Sequence, residues 1–195
     1  MSDQEIIIEK EVKTPSKVQD YVMLLKLRLA FLVVLSAVSG YFFAVDNFNL
    51  IQFIYLIIGG FLITGSSNGF NQIIEKDIDQ KMKRTANRPL PAGRMSVKEA
   101  LLVSILSGII GSIMLFRLHI YAGALGILAL FLYVVVYTPM KRISPWAVFV
   151  GAFPGAIPPM LGVIAVTGDF DEMVGIMFLV QFIWQFPHFW AIAWV

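Results

Sequence analysis

Asn71, Glu75 and Asp79 recur at spacings of four in an otherwise largely apolar stretch. On a helix that advances about 100° per residue, each step of four drifts by only about 40°, so the three share one face. An amide and two carboxylates stacked over two turns make an all-oxygen surface suited to Mg²⁺. Magnesium prefers a few carboxylates plus oxygens of a substrate phosphate, which is why such a face looks incomplete alone. Asp77 points roughly opposite to Asp79 on an ideal helix and reads as a solvated or structural charge. A polar helix end at a lipid interface would also supply charges here, but it does not explain acids that line up.

Basic residues follow closely: Lys83, Arg84 and Arg88, with Lys141 and Arg142 further along. Acids that hold a metal beside guanidinium forks that hold phosphate oxygens would form a diphosphate clamp. Lys26 and Arg28 have two readings, as snorkelling anchors or as a third side of that clamp.

These groups need elements to carry them, and composition says which kind. Hydrophobic residues make up 58% of the chain and charged ones 14%, with a mean hydropathy of +0.78. A water-soluble domain of 195 residues could not hide that much apolar surface. Six apolar stretches, at approximately 25–45, 50–74, 97–116, 120–138, 145–167 and 173–195, are long enough to cross a hydrocarbon core of about 30 Å. The expected fold is an all-α, polytopic membrane helical bundle. The first stretch is no cleavable signal peptide, because it follows twenty residues in which charged groups alternate with small apolar ones, and it lacks a small-residue cleavage site. With no cysteine, disulfides, thiol catalysis and thiolate metal sites are excluded.

Fourteen of the fifteen Lys and Arg residues precede or open the first span or belong to the second and fourth connections. The other face holds Arg117 with Asp46, Asp169, Asp171 and Glu172. The positive-inside rule then puts the N-terminus in the cytoplasm, in a plasma or inner membrane, with the candidate chemistry at the cytoplasmic helix ends. Residues 1–20 are expected to form a cytoplasmic tail or interfacial helix ahead of a membrane domain at 21–195. Nucleic acid is not an expected partner.

The spans differ in character. Span two carries helix-compatible residues through Lys83, so it should project beyond the bilayer until Pro89, Pro91 and Gly93 force a turn. Ser96 and Glu99 form an S-x-x-E capping box that opens span three. Span five holds Gly151, Pro154, Gly155, Pro158, Pro159 and Gly162. Such a helix either packs closely through small residues or lines a cavity that meets its freed carbonyls. Span six contains Gln181, Gln185, Pro187 and His188, and the chain stops inside an apolar run, as a truncated sequence would. The span interiors lack Asp, Glu, Lys and Arg, whereas ion-coupled transporters keep an ionisable group near mid-membrane. A secondary transporter, suggested by the broken span five, is therefore the weaker reading. His188 reads as a packing residue or a ligand, and His119 as interfacial.

The segment from Asn68 through Asp79, continuing as Met82-Lys83-Arg84-Thr85 and Asn87-Arg88-Pro89-Leu90-Pro91-Ala92-Gly93, closely resembles the first aspartate-rich motif of UbiA-type intramembrane prenyltransferases. Tyr137-Thr138-Pro139-Met140-Lys141-Arg142, Gly155-Ala156-Ile157-Pro158-Pro159 and Gln185-Phe186-Pro187-His188-Phe189-Trp190-Ala191 look like the haem O synthase branch of that family. The resemblance implies about nine spans, of which six are here, and Mg²⁺-dependent farnesyl transfer from farnesyl diphosphate to the vinyl group of haem b. An aromatic or quinone-pathway acceptor is the alternative within the family. By position, it makes Asn71, Glu75 and Asp79 the catalytic, metal-holding face. Arg84, Arg88, Lys141, Arg142 and Arg28 become diphosphate contacts, and His188 a haem contact. Two positions depart from the family pattern: Glu75 replaces a commoner aspartate, and Leu27 stands where relatives often carry proline. A second aspartate-rich motif would begin beyond Val195, so the 195 residues alone are expected to be inactive.

Overall fold

A computed structural model of the chain describes residues 15–193. It is all-α, with no strand among the described residues. Six helical stretches are long and apolar enough to cross a membrane, matching the six stretches read from hydropathy. Most of the expected tail, 1–14, lies outside the described residues; the rest leads into a short helix.

That helix, α1 (Lys17–Leu25), starts from a capping box absent from the sequence reading. The Gln19 N–H donates to Ser16 Oγ, and the Ser16 N–H donates to Gln19 Oε1. Span one does not run on from it. Lys26 adopts the left-handed conformation (φ 48°) and separates α1 from α2 (Leu27–Ala44). Side chains with a Cβ rarely sit there, so something must hold the break open. Two amides of the helix that follows α2 do this. Gln72 Nε2 donates to the carbonyls of Met23 and Leu24, and Asn68 Nδ2 to that of Leu25, meeting the orphan acceptors of a helix end.

Helix α3 (Leu50–Asp79) has thirty residues, about 45 Å at 1.5 Å per residue, which exceeds a hydrocarbon core of about 30 Å. It projects as expected but ends at Asp79, short of Lys83. The chain curls back because the Asp79 carbonyl accepts both the Met82 N–H and the Thr85 hydroxyl. The connection that follows is folded. Gly93 is left-handed (φ 71°), and the Arg94 and Met95 N–H groups both donate to the Pro89 carbonyl. Arg94 then grips the buried carboxylate of Asp20 at 2.9 Å and the Asn87 side chain and carbonyl.

Helix α4 (Val97–Leu118) begins with half of the expected capping box. Ser96 Oγ accepts the Glu99 N–H, but the Glu99 carboxylate turns away to the Tyr21 hydroxyl at 2.7 Å and to Lys17. Span four is composite: α5 (Ile120–Phe131) widens into a π-helical turn (Leu132–Tyr137) and closes as α6 (Thr138–Met140). Pro139, which has no N–H for the Val135 carbonyl, sits just after the widened turn. Helices α7 (Ala147–Thr167) and α8 (Glu172–Ala193) complete the order.

The central helix α7 answers both readings of span five. On one side its backbone touches α2: a Cβ at Gly162 would lie 1.9 Å from the Ala37 carbonyl oxygen, and one at Gly40 equally close to that of Pro159. On the other side, Gly151, Pro154, Gly155 and Pro158 line a cavity. Pro159 removes the donor for the Gly155 carbonyl, and Gln185 Nε2 of α8 supplies it at 3.1 Å.

Candidate active site

The face of α3 read from spacing is present and buried: Asn71, Glu75 and Asp79 are 1%, 8% and 3% exposed, whereas Asp77 is exposed. Two of the basic residues close on it. Lys141 Nζ sits 2.6 Å from Glu75 Oε1, and Arg88 pairs with Asp79. Residues 66 positions apart meet because the second and fourth connections lie at the same end of the bundle.

The structure separates Lys26 from Arg28. Lys26 is half-buried within the fields of Glu75, Asp79, Arg88 and Lys141. Burial first, then the charges of Arg88 and Lys141, lower its pKa from 10.5 to about 8, while the two carboxylates pull the other way. Arg28, two positions on, is exposed on the outer surface beside Leu27, Phe31, Leu32 and Phe61. The left-handed joint redirects the helix between them. Arg84 and Arg142 stand at the charged end but are exposed, and form no ion pair among the described residues.

Below the charges lies a cavity of about 430 Å³ between α2, α3, α5, α7 and α8. Its lining is mostly aliphatic and aromatic, including Leu32, Ile63, Leu115, Leu161 and Trp184. Tyr137 joins the two parts: its ring lines the cavity and lies 5.7 Å beneath Lys141 Nζ. His188 lines the same cavity with Gln181 and Gln185, on the exposed helix α8. The arrangement suits a long apolar molecule with an anionic head.

Asn68, Gln72, Thr138 and Gln185 were in view in the sequence without an assigned task. Their common signal is a buried amide or hydroxyl in an apolar span, which must be meeting a backbone group somewhere. Gln72 Oε1 is the one buried side-chain polar atom without a partner among the described residues.

As a cation site, the face fits Mg²⁺ incompletely by itself. Among the described residues no three His, Cys, Asp or Glu side chains gather to hold a metal. Two carboxylates and an amide oxygen remain, a set that suits Mg²⁺ when a ligand contributes phosphate oxygens.

A helical membrane bundle with charged groups collected over an apolar cavity is the class that fold and site define. The chain belongs to the UbiA prenyltransferase family, whose model matches residues 33–195. It is 50% identical over 185 residues to a protoheme IX farnesyltransferase of Cytophaga hutchinsonii, covering 92% of this chain and 64% of that protein. Against the protoheme IX farnesyltransferase of Christiangramia forsetii it is 48% identical over 179 residues, covering 92% of this chain and 60% of the relative. The chain thus spans roughly three fifths of the length of these relatives. A solved digeranylgeranylglyceryl phosphate synthase superposes with a TM-score of 0.76 at 20% identity, over 85% of this chain and 58% of that one. A UbiA homolog from Archaeoglobus fulgidus bound to GPP and Mg²⁺ gives 0.70 at 17% identity, over 87% and 62%. At these identities the structural likeness bears on the fold alone.

Proposed function

We propose that the protein to which this chain belongs transfers the farnesyl group of farnesyl diphosphate to a vinyl group of haem b, with Mg²⁺. The observation that carries the proposal is the buried row of Asn71, Glu75 and Asp79, paired with Lys141 and Arg88 above an apolar cavity. The names of the relatives support the choice of haem as acceptor.

Asn71, Glu75 and Asp79 would hold the cation, whose chemistry there is neutralisation of the departing diphosphate. Lys141 and Arg88 bond carboxylates in the free chain and exchange them for phosphate oxygens when substrate arrives. Lys26 adds its charge beside that anion, and exposed Arg84 and Arg142 add positive field at the same end. Arg28, on the outer surface, fits an interfacial anchor better. The farnesyl chain lies in the cavity under Tyr137, with C1 held near the charges. As the C1–oxygen bond breaks, diphosphate departs with the electron pair and C1 takes on allylic cation character. The haem vinyl group attacks C1, which leaves a cation on the vinyl carbon beside the ring, and water adds there with loss of a proton to give a hydroxyethylfarnesyl side chain. The apolar walls exclude bulk water that would quench the cation early. His188 and Gln181 are two of the polar groups on the cavity wall, and a haem in the cavity would meet them there.

The charged end faces the cytoplasm in this reading, in line with the positive-inside rule. The test is Asp79→Ala in the intact, membrane-inserted protein, given farnesyl diphosphate and either haem b or a hydroxybenzoate. Turnover on haem should fall by about 10³-fold or more, with insertion unchanged. Full activity in the variant removes the metal role, and product from hydroxybenzoate alone removes the acceptor.

A further inference from the structure

Asn71 presents an amide whose two ends differ in what they can bind, and its surroundings decide which end faces where. Nδ2 donates to Glu75 Oε2 at 2.9 Å and to Thr138 Oγ1 at 3.3 Å. An ionised carboxylate can only accept. A threonine hydroxyl can do either, but this one has spent its proton: Oγ1 donates to the Tyr133 carbonyl at 2.8 Å. That carbonyl also takes the Thr138 backbone N–H, the bond that closes the π-helical turn. Thr138 is fully buried and held in one orientation, with a lone pair towards α3. Asn71 thus meets two acceptors, and only its NH₂ end satisfies both. Flipped, the amide would set Oδ1 against a carboxylate and a lone pair. Among the described residues, no protein donor takes Oδ1.

We infer that Thr138 is a positioning residue: as the second acceptor for the Asn71 amide, it keeps Asn71 Oδ1 turned outward for the divalent cation. The inference rests on reading Asn71, Glu75 and Asp79 as the cation-holding face. It gives the π-helical turn a purpose, because that turn is what commits the threonine proton to Tyr133. It also accounts for an amide at position 71. A third carboxylate there would face Glu75 with like charge and could donate to neither acceptor.

The experiment titrates Mn²⁺ into the intact, purified protein saturated with a non-transferable farnesyl thiolodiphosphate, reading the electron paramagnetic resonance signal of protein-bound Mn²⁺. Losing one buried hydrogen bond at the ligand should weaken apparent Mn²⁺ affinity about 10-fold in Thr138→Val. Thr138→Ser, which keeps the hydroxyl, should stay within about twofold by the same reasoning. In an Asn71→Ala background, Thr138→Val should cause no further loss, because the partner through which it acts is gone. If Thr138→Val does not yield monodisperse protein, Thr138→Ala carries the same comparison. Wild-type affinity in the variant overturns the inference, as does an equal loss with Asn71 already removed. Failure of the wild-type protein itself to bind Mn²⁺ overturns the cation-holding face along with it, which sets that result apart from the other two.

Discussion

The two ends of the bundle are built from different materials. At one end lie all four ion pairs among the described residues, Lys17–Glu99, Arg88–Asp79, Arg94–Asp20 and Lys141–Glu75. At the other, Tyr41 is buried among the rings of Phe42, Phe48 and Phe53, and Tyr121 meets Phe170 edge-on. Polar side chains at that end mostly cap helices or close turns, as Asn49 does for α3 and Asp171 for α8. Charges paired with one another can change partners when an anion arrives, whereas packed rings have nothing to exchange. The first end can therefore exchange partners with an anion, and the second holds the helices in place.

The sharpest way to break this contrast is to remove one carboxylate from each end. Glu75→Ala should lower haem farnesylation by the intact protein about 10³-fold, while Asp171→Ala, which loses a helix cap and hence about 0.5–2 kcal/mol of stability but no group at the charged end, should leave it within about twofold. Equal losses would erase the distinction. Gly162→Val comes next, since even a Cβ would lie 1.9 Å from the Ala37 carbonyl oxygen. It should destabilise by about 3 kcal/mol or more, read as a lowered thermal midpoint in detergent. Gly175→Ala, with open space around it, should gain about 0.5–1 kcal/mol from helix propensity. Gln185→Leu should cost about 1–3 kcal/mol in the same assay, by leaving the Gly155 carbonyl unmet in an apolar wall.

The smallest effect concerns pH. Lys26, with a pKa of about 8 in the free chain, loses its charge as pH rises past that value. Affinity for a diphosphate analogue should then weaken a few-fold between about pH 7 and 9.5, and Lys26→Arg should flatten the profile because arginine stays charged. The stability contribution has the opposite sign. Between about 8 and 10.5 the unfolded chain holds a proton that the folded chain has released, so folding gains with rising pH. A pH-independent affinity in the wild type would place Lys26 outside the anion's reach.

Hydropathy and charge placement were enough to read six spans and the side of the bundle that carries the basic residues. The row at 71, 75 and 79 was legible because helix geometry is local. What stayed hidden depends on partners far along the chain. The break at Lys26 carries neither Gly nor Pro, and is held by amides of Asn68 and Gln72 more than forty positions away. The end of α3 at Asp79 is set by Thr85 and Arg88 folding back, which no residue preference announces. Glu99 looked like a capping residue until Tyr21 and Lys17 arrived to claim it. The task of Gln185 is visible only once α8 lies against the carbonyl that Pro159 frees.

The contact between Gly162 and Ala37, and between Gly40 and Pro159, joins main chain to main chain with no side chain to rearrange. Helices α2 and α7 therefore behave as a single stiff plank, and any swelling of the chamber beside them has to come from its other walls, α3, α5 and α8. Of these, α8 meets α7 through side chains, with the rings of Phe178, Phe182 and Phe186 against Phe149 and Phe153 and the amide of Gln185 on the Gly155 carbonyl. A bulky guest would thus be admitted by side chains that turn aside, with the backbones of α2 and α7 held where they are.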